Sequence, residues 1–163
     1  MTNSGRDFST AFEQVLGQIT DSIKLQMESR SYRAANELRN ASQLVLRGQR
    51  SGRQYTVPGT GRMRYNKRKK TASITYKKYT ASAPGEPPAV RTGVFRMSWQ
   101  PTAKVVFGSY ISRIESNART DNGLDLSGIL EHGTSRMAPR PYQDRILDKA
   151  EKPIVRIYEE PYI

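Results

Sequence analysis

The sequence predicts an α+β fold with a long N-terminal helix, an extended basic arm, a small antiparallel sheet and a C-terminal helix. Three patterns indicate this fold: a helical apolar stripe at the start of the chain, alternating apolar and polar residues after Gly93, and helical spacing again after Pro141. The length of 163 residues favours a single domain. We divide it into a long helix (1–48), a basic arm or hairpin (49–82), an α+β body (83–152) and a C-terminal tail (153–163).

The N-terminal helix is predicted from apolar or small residues that recur every three or four positions between Phe8 and Val45. Their mean spacing of about 3.7 residues is that of a helical stripe. An unbroken helix of about 40 residues would be about 60 Å long. The stripe weakens at Ser31, so two helices with a break near 29–31 are an alternative. In either case one small domain cannot cover the whole stripe, which indicates a partner subunit.

Positive charge is concentrated in the middle of the chain. The formal net charge is +12, from 27 basic and 15 acidic residues. Residues 30–79 hold 14 basic residues and one acid, Glu37, so this segment alone carries 14 − 1 = +13. Such a field attracts nucleic acid or an acidic protein surface, whereas the alternative is a solvated loop. The candidate contacts to DNA or to a partner are Arg50, Arg53, Arg62, Arg64, Lys67, Arg68, Lys69 and Lys70.

The arm itself has weak signals for secondary structure. Residues 54–57 and 73–79 are expected to be short strands, and Pro58-Gly59 is expected to form a turn. Strands this short fold poorly without other elements to pack on. The proline-rich segment 83–88 is expected to be a stiff connector to the body.

In the body, the pattern changes to alternation. Phe95, Met97 and Trp99 alternate with polar residues, which predicts a half-buried strand that Pro101 ends. Residues 104–107 and 110–116 are two further strand candidates around Gly108. A helix over 141–152 follows, with Pro141 in its first turn, and Pro153 is expected to stop or kink it.

The residues that support most enzyme chemistry are missing from the sequence. The chain has no cysteine and a single histidine, His132, and its acids are scattered. No glycine-rich phosphate-binding loop is present, and no apolar run approaches the roughly 20 residues that a membrane span needs. We therefore expect a non-enzymatic protein with no cofactor, no metal and no membrane segment.

Two separated runs carry a resemblance to a known family. The run GEPPAVRTGVFRMSW (85–99) and the run ILEHGTSRMAPRPY (129–142) resemble the two halves of a pattern in the neck, or head–tail joining, proteins of long-tailed double-stranded DNA bacteriophages. These are also called tail-completion proteins. His132 stands where members often have an aromatic residue, and Tyr142 where phenylalanine is common. The resemblance covers about 83–150, and the arm looks longer than is usual in the family.

The resemblance implies a structural virion protein that joins the DNA-filled head to the tail as a homo-oligomeric ring. Its partners would be neighbouring head-completion, portal or tail proteins, with packaged DNA as a further candidate. Its place would be the neck of the virion, after assembly in the host cytoplasm. Two other functions stay open: a sequence-independent nucleic-acid-binding module, which the charge and the interleaved tyrosines favour, and a tail-terminator ring protein.

Within the second run, five residues are candidates for an interface or for the motif's own turn. The Glu131 carboxylate is expected to accept backbone N–H bonds and to hold a sharp turn in place. We expect Gly133 to be structural, and Arg136 and Arg140 to serve either the turn or a contact with a partner. The candidates are Glu131, Gly133, Thr134, Arg136 and Arg140.

Overall fold

A computed structural model describes residues 4–162 and confirms the predicted α+β class. Residues 1–3 of the predicted helix and residue 163 of the predicted tail lie outside the described range. The described helices are α1 (Ser4–Arg47), α2 (Val94–Met97), α3 (Leu126–His132) and α4 (Gln143–Glu159). The strands are β1 (Gln54–Thr56), β2 (Arg62–Asn66), β3 (Thr71–Thr75), β4 (Lys78–Thr80), β5 (Trp99–Val106) and β6 (Ser109–Ser116). They form three antiparallel pairs, β1 with β4, β2 with β3 and β5 with β6.

Helix α1 is continuous through 29–31, so the alternative of two helices is wrong. Its 44 residues correspond to a length of about 66 Å. The C-terminal half packs on α4, β5 and β6 and buries Ala34, Leu38 and Ala41. Every residue from Ser9 to Leu25 is exposed. The helix therefore has a half that is bound to the body and a half that projects from it. Within 4–162, no helix combines the length and the apolar character that crossing a membrane requires.

The core lies between α1, the β5–β6 pair and α4. Its centre is an aromatic cluster in which Phe95, Trp99 and Tyr142 meet edge to face, with ring centroids 5.6–5.8 Å apart. Leu38 and Ile146 pack against this cluster. The core is small, and many large apolar side chains of the described residues are exposed.

The predicted strand through Phe95 and Met97 is wrong, because Val94–Met97 forms a single helical turn. Gly93 starts the turn with φ +87°, and the Met97 N–H donates to its carbonyl oxygen at 3.0 Å. The turn directs Phe95 to the core, and Trp99, the first residue of β5, reaches the same core. Met97, which a continuous strand would place beside them, is exposed.

The expected end of the strand at Pro101 is also wrong, because β5 runs through Pro101, which pairs with Ile114. Both strands of a two-stranded sheet have a free edge, where the missing proline N–H is tolerated. The body therefore has two long strands rather than three short ones. They are joined by a tight turn at Phe107 and Gly108, both with positive φ.

The predicted helix over 141–152 starts too early and ends too early, because Tyr142 is the N-cap and Pro141 precedes it, and the predicted tail 153–163 is largely helical. Helix α4 runs through Pro153 to Glu159. Pro153 leaves the Lys149 carbonyl without its helical donor, but Lys149 is exposed and water can serve instead. Beyond the proline, Ile157 is buried, so packing holds the last turns on the body.

The C-terminal end is fixed to α1 by arginines from the basic segment. The Arg33 guanidinium donates to both carboxylate oxygens of Glu160 at 2.5–2.6 Å, which raises the pKa of Arg33 and lowers that of Glu160. Buried Arg30 donates to the Pro161 carbonyl at 2.8 Å and lies 3.9 Å over the Tyr162 ring. These two cations therefore stabilise the fold. The positive charge that residues 30–79 leave free at the surface is smaller than the sequence alone indicates.

Candidate interaction site: the basic arm and its base

The arm is one long β-hairpin with an interruption. The β1–β4 pair forms its stem and the β2–β3 pair its outer part. Pro58 and Gly59 form a turn as expected, but the chain does not reverse direction there. β1 and β2 follow one another along the outgoing leg of the hairpin, and β3 and β4 form the returning leg. The Val57 N–H still donates to the Lys77 carbonyl at 2.8 Å, and Thr60 Oγ1 accepts the Lys77 N–H at 3.1 Å. The expected strand over 73–79 is accordingly divided into β3 and β4.

Seven of the eight predicted contact residues lie along the hairpin, from its base to its tip. Arg62 and Arg64 lie two residues apart in β2 and share a face, and Arg53 lies beside the Tyr55 ring at 5.8 Å. The chain reverses at the tip, where Asn66 Oδ1 accepts the backbone N–H groups of Arg68 and Lys69 at 3.1 and 3.3 Å. The tip residues, all exposed, are Lys67, Arg68, Lys69 and Lys70.

The other face of the outer hairpin is apolar. Met63 pairs with Ile74 across the ladder, and Tyr65 is the next residue of β2 on that face. Tyr76 and Ile74 lie over Gly61, where an added Cβ would be 3.0–3.1 Å from each. All four side chains are exposed, from 45 % for Tyr76 to 76 % for Met63. We call Met63, Tyr65, Ile74 and Tyr76 the arm apolar face.

Glu86 holds the base of the arm from both sides. Its carboxylate accepts the Ser51 hydroxyl at 2.6 Å and the Ser51 N–H at 3.1 Å, just before β1. It also accepts the Ala83 N–H at 2.9 Å, just after β4. These hydrogen bonds, the one from the Ser51 side chain first, lower the pKa of Glu86 to about 2. The two ends of the arm are therefore fixed to a single carboxylate.

Arg50 is the one predicted contact that the structure does not place on the arm surface. Its guanidinium donates to the Val45 and Pro88 carbonyls at 2.9 and 3.1 Å, and burial lowers its pKa. Arg140 also points inward, because it donates to the carbonyl and hydroxyl oxygens of Ser82. Both arginines connect the arm base to the body.

The remaining motif residues surround the start of α4. The Glu131 carboxylate accepts the Tyr142 and Gln143 N–H groups at 3.0 and 3.4 Å. Glu131 therefore holds the first turn of α4, not the sharp turn that follows Glu131 in the chain. Thr134 and Met137 close this sharp turn with two backbone hydrogen bonds at 2.8 and 3.2 Å.

Gly133 and Arg136 have different roles in this turn. Gly133 has φ +75°, and an added Cβ would lie 2.5 Å from the Met137 carbonyl oxygen, so only glycine fits. Arg136 is exposed, and its guanidinium makes no hydrogen bond or ion pair with any residue in 4–162. It is the motif arginine that a partner could reach.

Sequence reasoning missed Glu86 and the arm apolar face. Glu86 is the only acid between Leu38 and Ile114, and this isolation was a signal. The apolar face was visible as alternation at Met63 and Tyr65. The basic residues that alternate with these apolar ones give the segment the composition of a charged loop.

Comparisons of the chain with protein-family models, with curated proteins and with solved structures found no match in any of the three.

Proposed function

We propose that the chain is a structural component of a bacteriophage neck that joins the filled head to the tail as a ring of copies. One observation carries the proposal: the two runs that resemble the neck family pack against each other in the body. The Gly85 N–H donates to the Pro139 carbonyl at 3.1 Å, and the Phe95 and Tyr142 rings meet at 5.6 Å. The arm base is fixed to this same junction by Arg140 and Glu86.

The exposed surface of two projecting segments also supports an assembly role. A small core carries two long projections, the exposed half of α1 and the basic arm, and neither is covered by the chain itself. Extended apolar surface of this kind is typical of interfaces. The basic face of the arm suits packaged DNA or an acidic surface of an adjacent ring.

The test is a joining assay with DNA-filled heads and free tails from an infection in which this chain is not made. We expect few joined particles without the chain and many after the purified chain is added. The matched variant lacks residues 61–76, so that Thr60 is joined to Lys77, a residue that it already contacts at 3.1 Å. We expect this variant to fold and to join particles poorly. Equal joining with and without the chain would show that the proposal is wrong.

A sequence-independent nucleic-acid-binding module is the second candidate, and the cluster of four cations at the arm tip favours it. Residues 61–76 contain six basic residues. If all six contact phosphates, their removal changes the slope of log K against log salt by about 5, at about 0.9 per phosphate. A slope change of this size, with no joining activity, would favour this candidate over the neck role.

A tail-terminator ring stays a third proposal. The same preparations distinguish it, because loss of a terminator gives tails of uncontrolled length, whereas loss of a joining protein leaves tail length unchanged.

A further inference from the structure

The projecting half of α1 carries an exposed apolar stripe. Val15, Leu16, Ile19 and Ile23 lie within an arc of about 100° on the helix, at 100° per residue. Each is 41–51 % exposed. We call these four residues the helix stripe. The charged residues of 9–29 are Glu13, Asp21, Lys24 and Glu28, so this half of α1 carries a net charge of −2.

The arm presents a second uncovered apolar surface of opposite charge. The arm apolar face leaves roughly 500 Å² in water, taking about 150–250 Å² for each large side chain. That equals the largest apolar patch of a typical monomer, about 300–600 Å² and often functional. Nine basic residues and no acid lie between Gly52 and Ala81, so the arm carries +9. A two-stranded hairpin alone is only marginally stable in water and gains from a surface to pack on.

We propose that the arm apolar face of one copy docks on the helix stripe of a second copy. Both surfaces are exposed and apolar, and the segments that carry them have opposite net charges. Pairing of two helix stripes would instead bring two charges of −2 together, and DNA offers no apolar surface for Met63 and Ile74. The charge therefore favours the arm of another copy as the occupant of the helix stripe.

Within one copy both surfaces are exposed, from 41 % for Ile23 to 76 % for Met63, so neither covers the other and the proposed contact lies between copies. The stripe ends at Ile23, about 36 Å along the helix axis from Arg47, where α1 ends. A contact between two different surfaces repeats from copy to copy, and it closes into a ring when the rotation permits. The inference rests on the proposed self-assembly but not on the neck role.

The natural absence of cysteine allows a direct cross-linking test. Single-cysteine variants of the arm apolar face (Met63→Cys, Ile74→Cys) are mixed with single-cysteine variants of the helix stripe (Val15→Cys, Ile19→Cys) under mild oxidation. Mass spectrometry then measures the mixed disulfide dimers. We expect at least one of the four mixtures to give a fivefold higher yield than the controls.

The controls use exposed positions that face away from the proposed contact. Arg64→Cys lies on the opposite face of β2, and Leu25→Cys lies outside the stripe on α1. Equal yields from the controls and from all four mixtures would overturn the proposal. So would a dominant Ile19→Cys homodimer, because that result means that two α1 helices pair.

The mass in solution gives a second readout that separates this inference from the proposed function. We expect Met63→Ser with Ile74→Ser to shift the chain from oligomer to monomer. Ser73→Ala with Thr75→Ala, on the other face of the same ladder, should leave the mass unchanged. An apolar-face variant that keeps the wild-type oligomeric mass would overturn the docking inference, while the ring and the joining activity would stand. A wild-type chain that stays monomeric would overturn the inference as well, and the joining assay would still test the neck role separately.

Discussion

The replacement Gly133→Ala tests whether the motif glycine is required by the backbone. Gly133 has φ +75° and ψ −169°, a region that is essentially restricted to glycine and costs other residues about 1–3 kcal/mol. The added Cβ would also lie 2.5 Å from the Met137 carbonyl oxygen and 2.8 Å from the Pro139 nitrogen. Relief of these contacts disturbs the hydrogen bond from Thr134 to Met137, worth about 1 kcal/mol. We expect a total loss of about 2–4 kcal/mol in the free energy of unfolding.

The matched control is Gly123→Ala. Gly123 has a similar φ of +77°, but an added Cβ would have no atom within 4 Å. Its cost is therefore the backbone conformation alone, about 1–2 kcal/mol. A larger effect at Gly133 reports the combined cost of its backbone region, with ψ −169°, and of the close approach of the Met137 carbonyl.

The assay is urea unfolding followed by circular dichroism at one fixed protein concentration, because oligomerisation makes stability concentration-dependent. A loss of 3 kcal/mol corresponds to a fall in Tm of about 6–12 °C for a chain of this size. Equal losses at Gly133 and Gly123 would refute the role of the carbonyl contact. No loss at either position would refute the argument from backbone conformation.

Three further changes have defined outcomes. Tyr142→Phe removes the hydrogen bond from the buried hydroxyl to the Ser127 carbonyl at 3.1 Å and should cost about 1 kcal/mol in urea unfolding; an unchanged midpoint would contradict this. The lowered pKa of Glu86 means that its contribution to the arm base is complete above about 4.5, the ordinary value, and is lost as the pH falls through about 2. The Ser51 amide signal should therefore titrate with a midpoint near 2, and a midpoint near 4.5, or a titration that persists in Glu86→Gln, would contradict it. At a protein concentration at which the wild type is monomeric, excision of 61–76 should leave Tm within about 2 °C, because all of these residues are exposed and surface changes cost about 0.5 kcal/mol; a larger fall under that condition would mean that the arm stabilises the body.

The sequence was sufficient to predict the elements whose periodicity is long and uninterrupted. The apolar stripe predicted α1 closely, and the two strand candidates around Gly108 fall on β5 and β6, except that Phe107 belongs to the turn. The charge pattern predicted the position of the arm, since no fold is needed to locate a run of cations.

The errors arose where tertiary packing overrides a local pattern. Residues with the spacing of Phe95 and Trp99 fit both a strand and a helical turn, and only the core shows which side chains are buried. The sequence pattern predicts that Pro101 and Pro153 end their elements, but a free strand edge and an exposed helix side tolerate the missing N–H. The internal use of Arg50 could not be predicted, because the carbonyl of Pro88 approaches it only in the folded chain.

The continuity of α1 has a consequence for the spacing of any assembly that uses both of its ends. Because α1 has no break, it fixes the distance and the angle between the body and the helix stripe. Each residue removed between Ile23 and Arg30 shortens the helix by about 1.5 Å and rotates the stripe by about 100°. Insertion of seven residues there restores nearly the original angle while lengthening the helix by about 10 Å. The length of this one helix would thereby set the repeat distance between copies.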